Sequence, residues 1–281
     1  MDTMDLTTLA YAKLNLEFDK EAFIKEYDER ILPVGRPAMN SKLGLEKTAR
    51  MNKEWNMVPE ELYFDTDYFE QPGDIRTIRN INNGRPVWNM FQILNLDISN
   101  VSDPLLRFWH DKGTAGLRNE TLDDKYNFYI KPGFEDLKIV QWIYNTLPFK
   151  KIKFIHCVAM EANSFASIHR DSKSFRASTS SAGVNKVFNA GSVVINLNIS
   201  NGGVPLYWAL DGKDFYTPRY IDDDAYITND YFFHGVPICT SRRRQIRITG
   251  IPTPELVDLI DKTSAINVGN NYQFVPGFPE N

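Results

Sequence analysis

The sequence predicts an α+β chain: a double-stranded β-helix core of the jelly-roll or cupin-like kind, carried on an N-terminal helical support. Three observations lead there. Between residues 151 and 252, short apolar–polar alternations separated by Gly, Asn, Asp and Pro turns recur often enough for about eight strands. Before residue 151, the apolar spacing in two stretches is helical instead. No internal repeat, low-complexity tract or linker divides the chain. The N-terminal helical or mixed region (1–150), the β core (151–252) and the C-terminal helix and tail (253–281) therefore read as parts of one unit.

Bulk properties narrow the function classes. With 281 residues and 42% hydrophobic content, the chain can bury a substantial core, and 13% aromatic content suits a β-rich one. A net charge of −4 lacks the basic excess of a nucleic-acid binder. Two cysteines, Cys157 and Cys239, make no disulfide framework and fit a reducing compartment. No apolar run reaches the length of a membrane span, and residues 1–16 lack a basic stretch followed by an apolar one, so no signal peptide is expected. The expectation is a soluble, cytoplasmic protein with no nucleic-acid or membrane partner, its oligomeric state unspecified.

In chain order, residues 1–15 show no pattern. Residues 19–32 read as an amphipathic helix with Asp19 as N-cap, one face of Ile24, Tyr27 and Ile31, and Pro33 as the stop. Residues 34–56 read as loop with room for one short helix, and 58–71 as an acidic, aromatic surface helix. The Asn83-Gly84 turn at 80–86 precedes a strand over 87–96. His110 lies in a helical piece as a packing or surface residue. Pro132-Gly133 opens a second helix, 134–147, with Leu137, Val140, Tyr144 and Leu147 on one face.

From residue 151 the period becomes two. Strands are predicted over 152–160, 165–171, 191–199, 204–210, 215–220, 225–228, 231–236 and 244–251, with a polar, lid-like loop at 172–189 and a hairpin signal at 211–214. A helix follows at 255–262. In the strand at 191–199, Val193, Ile195, Leu197 and Ile199 share one face, and Val194, Asn196 and Asn198 the other. Either the Asn face lines a polar barrel interior, or the strand is an edge whose Asn face meets water.

The chemistry-bearing residues stand at the two ends of this region. His169 and Asp171, at i and i+2 on a strand, point to the same side. His234 follows after enough chain for three or four antiparallel strands to cross a barrel and return. Two histidines and a carboxylate with open positions left over suit a non-haem Fe(II) centre. Arg244 shares strand parity with Ile246 and Ile248. If those two point inward, so does Arg244, and an inward guanidinium needs a carboxylate. None is evident in the nearby sequence, so a dicarboxylate ligand held bidentately is the natural partner. Arg242 and Arg243 read as a solvated basic patch, and Arg247, of opposite parity, as the second choice.

His169-x-Asp171, then His234-Gly235-Val236-Pro237, then Arg244 leading a strand, resembles the Fe(II)- and 2-oxoglutarate-dependent dioxygenases over roughly residues 150–252, nearest to their aspartyl/asparaginyl hydroxylase-like and phytanoyl-type branches. The resemblance implies iron bound by His169, Asp171 and His234, with 2-oxoglutarate and dioxygen as co-substrates. It also implies the far carboxylate of 2-oxoglutarate on Arg244, and hydroxylation of a C–H bond in a small-molecule or peptide substrate. Many members carry Ser or Tyr two residues beyond that arginine. Ile246 stands there in this chain, so the second carboxylate contact falls to Asn196, Asn198, Tyr207 or His156. Two alternatives stay open: a cupin-type lyase or isomerase that uses the metal without 2-oxoglutarate, and a barrel that binds a ligand without catalysis.

Overall fold

A computed structural model describes residues 9–38, 88–99, 101–102, 126–162, 166–169, 193–204, 206–209, 219–221, 223–228, 233–236 and 239–267. The structure is mostly antiparallel sheet with few helices. In chain order the elements are β1 (Leu9–Lys13), α1 (Lys20–Glu26), β2 (Arg36–Ala38), β3 (Trp88–Gln92), β4 (Leu94–Leu96), β5 (Phe128–Ile130), α2 (Lys138–Thr146), β6 (Phe149–Met160), β7 (Ala166–His169), β8 (Val193–Asn201), β9 (Leu206–Ala209), β10 (Arg219–Ile221), β11 (Ala225–Thr228), β12 (Phe233–Val236), β13 (Arg243–Pro252), α3 (Leu256–Leu259) and β14 (Ile266–Asn267).

Eight strands form one sheet in the order β14-β1-β11-β8-β13-β6-β3-β2, four form a second in the order β10-β9-β12-β7, and β4 pairs with β5. Chain connectivity links the two larger sheets strand by strand. β6 leads to β7, β8 to β9, β10 to β11 and β12 to β13, so the small sheet repeats the order β11-β8-β13-β6 of the large one. The large sheet also takes β1, β2 and β3 from before residue 150 and β14 from the tail.

The central pair β8 and β13 explains the layering. Leu197 lies opposite Ile246, and Ile195 opposite Ile248. With Ile155, Cys157 and Ile199 these residues form an apolar face that meets Phe23, Tyr27, Ile31, Val140 and Ile143 from the helices. Seven consecutive β8 residues, Val193 through Ile199, are buried, so both faces of that strand are covered. The reading of β8 as an edge strand with its Asn face in water is thereby corrected: it lies between β11 and β13.

The helices form where local chemistry satisfies their ends. Asp19 accepts from the Ala22 N–H at 3.0 Å and starts α1. The helix runs on into a π turn, Tyr27–Ile31, that buries both Tyr27 and Ile31. Phe18, Phe23 and Trp142 meet with ring centroids 5.5 to 5.8 Å apart. At the start of α2, Leu137 has no side-chain acceptor to offer. The carboxylate of Glu26 takes that role, accepting from the Lys138 N–H at 2.7 Å and the Ile139 N–H at 2.9 Å. Arg30 adds a two-pronged pair to Asp136 at 2.8 and 2.9 Å.

Several expectations change. β1 lies in residues with no predicted pattern, because alanines fill two of its buried positions and leave no bulky alternation to read. Residues 36–38 are strand rather than loop. The strand expected over 87–96 is two strands broken at Ile93. The second helix starts at Lys138, not 134, and its buried residues are Ile139, Val140 and Ile143, whereas Tyr144 is 47% exposed. The last helix has four residues, Leu256–Leu259. The predicted features at 58–71, 80–86, 172–189, 211–214 and 268–281, and His110, lie outside the described residues. No described helix is long and apolar enough to cross a membrane.

The corrected face of α2 has a direct test. Ile143→Ala should cost about 2–5 kcal/mol of unfolding free energy and Tyr144→Ala under about 1 kcal/mol, read from urea denaturation. The reverse order would restore the face expected from sequence.

Candidate functional site

On the large sheet, the face turned away from the helices carries the residues that alternate with the apolar ones. Register sets Gln245 opposite Asn198, and Arg247 opposite both Asn196 and His156. Tyr226 pairs with Asn196 from β11. The face is polar and largely buried: Asn196 is 5% exposed, Asn198 3%, Arg243 2%, and Tyr226 and Thr249 0%.

Burial forces these groups to bond one another. Asn196 donates to Thr228 Oγ1 at 3.1 Å, and its carbonyl accepts from Gln245 Nε2 at 3.3 Å. The same Gln245 nitrogen donates to the Tyr226 hydroxyl at 3.0 Å. Burial pushes the Tyr226 phenol up to about 12 against the opposing pull of Arg243, so near neutral pH it keeps its proton and can donate. Arg243 Nη1 donates to the carbonyls of Asn201 at 2.9 Å and Val204 at 3.1 Å, and Nη2 donates to Asn198 Oδ1 at 3.1 Å.

Among the described residues, the buried polar atoms on this face that lack a hydrogen-bond partner include, besides Arg247 Nε, three more: Arg243 Nε, Gln92 Nε2 and Thr249 Oγ1. Gln92 joins the face because it pairs with His156 across β3 and β6. Two of these atoms are N–H donors and the third is a hydroxyl. Unpartnered groups of this kind suit carboxylate or carbonyl oxygens.

The expectation for Arg244 is corrected on two counts. Ile246 and Ile248 face the helices, so parity carries Arg244 to that side as well. There it has a carboxylate from within the chain. Its Nε donates to Asp28 Oδ1 at 2.8 Å and its Nη2 to Asp28 Oδ2 at 2.5 Å, while Nη1 reaches Ser200 Oγ at 3.1 Å. Arg242 joins the cluster, bound to Glu161 at 2.9 and 3.1 Å and 3.6 Å from Asp28. The arginine on the polar face is its neighbour Arg243, which read from sequence as surface. β8 held the signal that finds it: once Leu197 faces the helices, the register Leu197–Ile246 sends the odd-numbered residues of β13 to the other side.

On the small sheet, backbone register places the predicted histidines together. His234 of β12 lies opposite His169 of β7 on one side and Trp208 of β9 on the other. Residues directly opposed in an antiparallel pair share a face, about 5 Å apart at Cβ. Tyr207 lies opposite Gly235 and Tyr220 in the same ladder. Asp171 lies outside the described residues. Among the described residues, no three His, Cys, Asp or Glu side chains gather into a metal-binding group. Cys157 and Cys239 are both buried free thiols, and burial pushes Cys239 up to about 11, which keeps it protonated.

No family model matches the chain, and no curated protein matches it. Among solved structures, it is similar to a Pseudomonas putida prolyl-4-hydroxylase at 9% identity, over 89% of this chain and 96% of that one, with a TM-score of 0.37. It is also similar to an oxidoreductase of the 2OG-Fe(II) oxygenase family from Burkholderia pseudomallei (12% identity, 84% and 91% covered, TM-score 0.29). A third likeness is to the viral collagen prolyl hydroxylase of Paramecium Bursaria Chlorella virus-1 (10% identity, 57% and 97% covered, TM-score 0.25). Overlays this loose carry no argument, and the reading of the site rests on its residues.

The Arg244–Asp28 pair makes a prediction of its own. Asp28→Ala leaves a largely buried guanidinium without its carboxylate and should destabilise the protein by about 2–4 kcal/mol. Adding Arg244→Leu should recover at least half of that loss in thermal unfolding. Additive losses in the double variant would show that the pair is not coupled.

Proposed function

We propose that this protein is a non-haem Fe(II)- and 2-oxoglutarate-dependent dioxygenase on a double-stranded β-helix, hydroxylating a C–H bond of an amino acid, a protein side chain or another small metabolite. The observation that carries the reading is the ladder pairing of His234 with His169. Two residues 65 positions apart in sequence become direct neighbours, at a spacing that two imidazoles can span through one metal with M–N bonds of about 2.1 Å. With Asp171 they would make a set of two nitrogens and one carboxylate oxygen that leaves coordination positions open. The matched strand orders, β10-β9-β12-β7 beside β11-β8-β13-β6, support the double-stranded β-helix.

Iron and 2-oxoglutarate together supply the oxidising power for C–H hydroxylation. The chain's own residues bind, orient and exclude water. His169, Asp171 and His234 would hold the metal. The far carboxylate of 2-oxoglutarate goes to Arg243 rather than Arg244, because Arg243 lies on the buried polar face with an open Nε–H. No described carboxylate bonds Arg243, so a ligand carboxylate is the missing countercharge. Tyr226, held protonated by burial and braced by Gln245, is a further neutral donor on the same face.

Thermal unfolding of the apoprotein with Mn(II) and 2-oxoglutarate, singly and together, tests the reading. Stabilisation that requires both supports it; metal alone sufficing favours a cupin-type enzyme without the co-substrate, and no response to either refutes a metal site. Arg243→Gln should weaken 2-oxoglutarate binding by more than about tenfold and Arg244→Gln by less than about threefold. Succinate release should vanish in His234→Ala.

A further inference from the structure

We infer that Asn198 sets the charge selectivity of this site: as a neutral acceptor it orients the Arg243 guanidinium without neutralising it, so the site prefers a dicarboxylate to a monocarboxylate. The inference rests on the reading of Arg243 as the carboxylate clamp.

Arg243 is 2% exposed, and a charge that deep calls for compensation. All its described acceptors are neutral: the carbonyls of Asn201 and Val204 and the amide oxygen of Asn198. One residue along the same strand, Arg244 has a carboxylate within the chain, bound by both prongs of its guanidinium. Among the described residues, the fold thus gives one arginine a carboxylate and the adjacent one neutral acceptors alone.

Among the described residues, Arg243 meets the side chains of Asn198 and Tyr226, and the orientation of Asn198 is determined. Its Nδ2 donates to the Asp223 carbonyl at 2.9 Å, which turns Oδ1 toward Arg243. The nearest acidic side chain in that network, Asp223, is engaged elsewhere, by the Tyr11 hydroxyl and by Lys13 at 3.4 Å. An aspartate at 198 would match asparagine in size and keep an oxygen on Arg243. It would add an internal negative charge about 3 Å from the guanidinium, where the described residues place none, and would give up the N–H that bonds the Asp223 carbonyl. Asn198 is therefore a positioning residue whose neutrality matters as much as its geometry.

The experiment titrates the Mn(II)-loaded full-length protein with 2-oxoglutarate and with 2-oxobutyrate, which has the 2-oxo acid head but no second carboxylate. Wild type, Asn198→Asp and Asn198→Ala are compared by calorimetry, with a thermal melt of each. The readout is the ratio of the two dissociation constants. Wild type should favour 2-oxoglutarate, Asn198→Asp should reduce that preference by more than about tenfold, and Asn198→Ala should keep it even where both constants rise. A wild-type ratio in Asn198→Asp overturns the inference, as does loss of the preference in Asn198→Ala, which would mark a purely structural role. If the aspartate variant does not fold, the alanine arm tests the positioning role: a 2-oxoglutarate dissociation constant unchanged from wild type in Asn198→Ala overturns the inference. A wild type that binds both acids equally overturns the inference alone, whereas one that binds neither removes the dioxygenase reading beneath it.

Discussion

The ladder between β8 and β13 governs the rest of the molecule, because both strands are sandwiched and a strand sorts its side chains strictly by alternation. Leu197 against Ile246 and Ile195 against Ile248 commit one face to the helices. The other face then has to take Asn196, Asn198, Arg243, Gln245 and Arg247. A one-residue slip in this pairing would put amides against Tyr27 and Ile143 and leave isoleucines on the polar side, so the register is strongly specified. Burying amides and guanidinia is costly unless they are bonded, and the chain meets that requirement by linking Thr228, Asn196, Gln245 and Tyr226 in series.

Arg243 and Arg244 show how much one step along a strand changes. A bulge in β8 between Asn198 and Ser200 shifts the register so that Ser200 sits beside Arg244 and Asn201 beside Arg243. Arg244 and Asp28 then join the strand to the π turn after α1, and Arg242 extends the cluster to Glu161 at the end of β6. This partly buried, multidentate network holds the N-terminal helical segment against the sheet, and its geometry gives it more weight than an isolated surface pair would have. Arg243 instead sits among neutral oxygens. The first arrangement is what a structural guanidinium requires; in the second, the described residues supply no countercharge.

Much of the architecture was legible in the sequence, since period-two and period-3.6 patterns are local. The Asp19 cap, the α1 face, the long β6 and the alternation of β8 all follow from residues close together in the chain. β1 was not legible, because its alanines mark burial only once β11 and β14 lie on either side of it. The start of α2 was missed for a related reason: its N-terminal cap is Glu26, more than a hundred residues earlier, so no nearby residue signals it. The arginine parity was legible but misread. If the Asn face of β8 lines the interior, its partner on β13, Gln245, faces inward with Arg243 and Arg247, and Ile246 and Ile248 face the other way. The carboxylate that balances Arg244 could not be inferred by inspecting its neighbours, because Asp28 is 216 residues away.

The polar face also weighs among the chemistries a β-rich metal site could run. A lyase or isomerase that needs only a metal has no use for a guanidinium buried 98% from solvent with an unfilled Nε–H, and a site built for apolar ligands would not leave Gln92 and Thr249 with unmet polar atoms. These donors belong to the large sheet, whereas the histidine pair belongs to the small one. On the proposed reading, a ligand held by both would bring metal-binding oxygens to one end and a carboxylate to the other, as a 2-oxo dicarboxylic acid does.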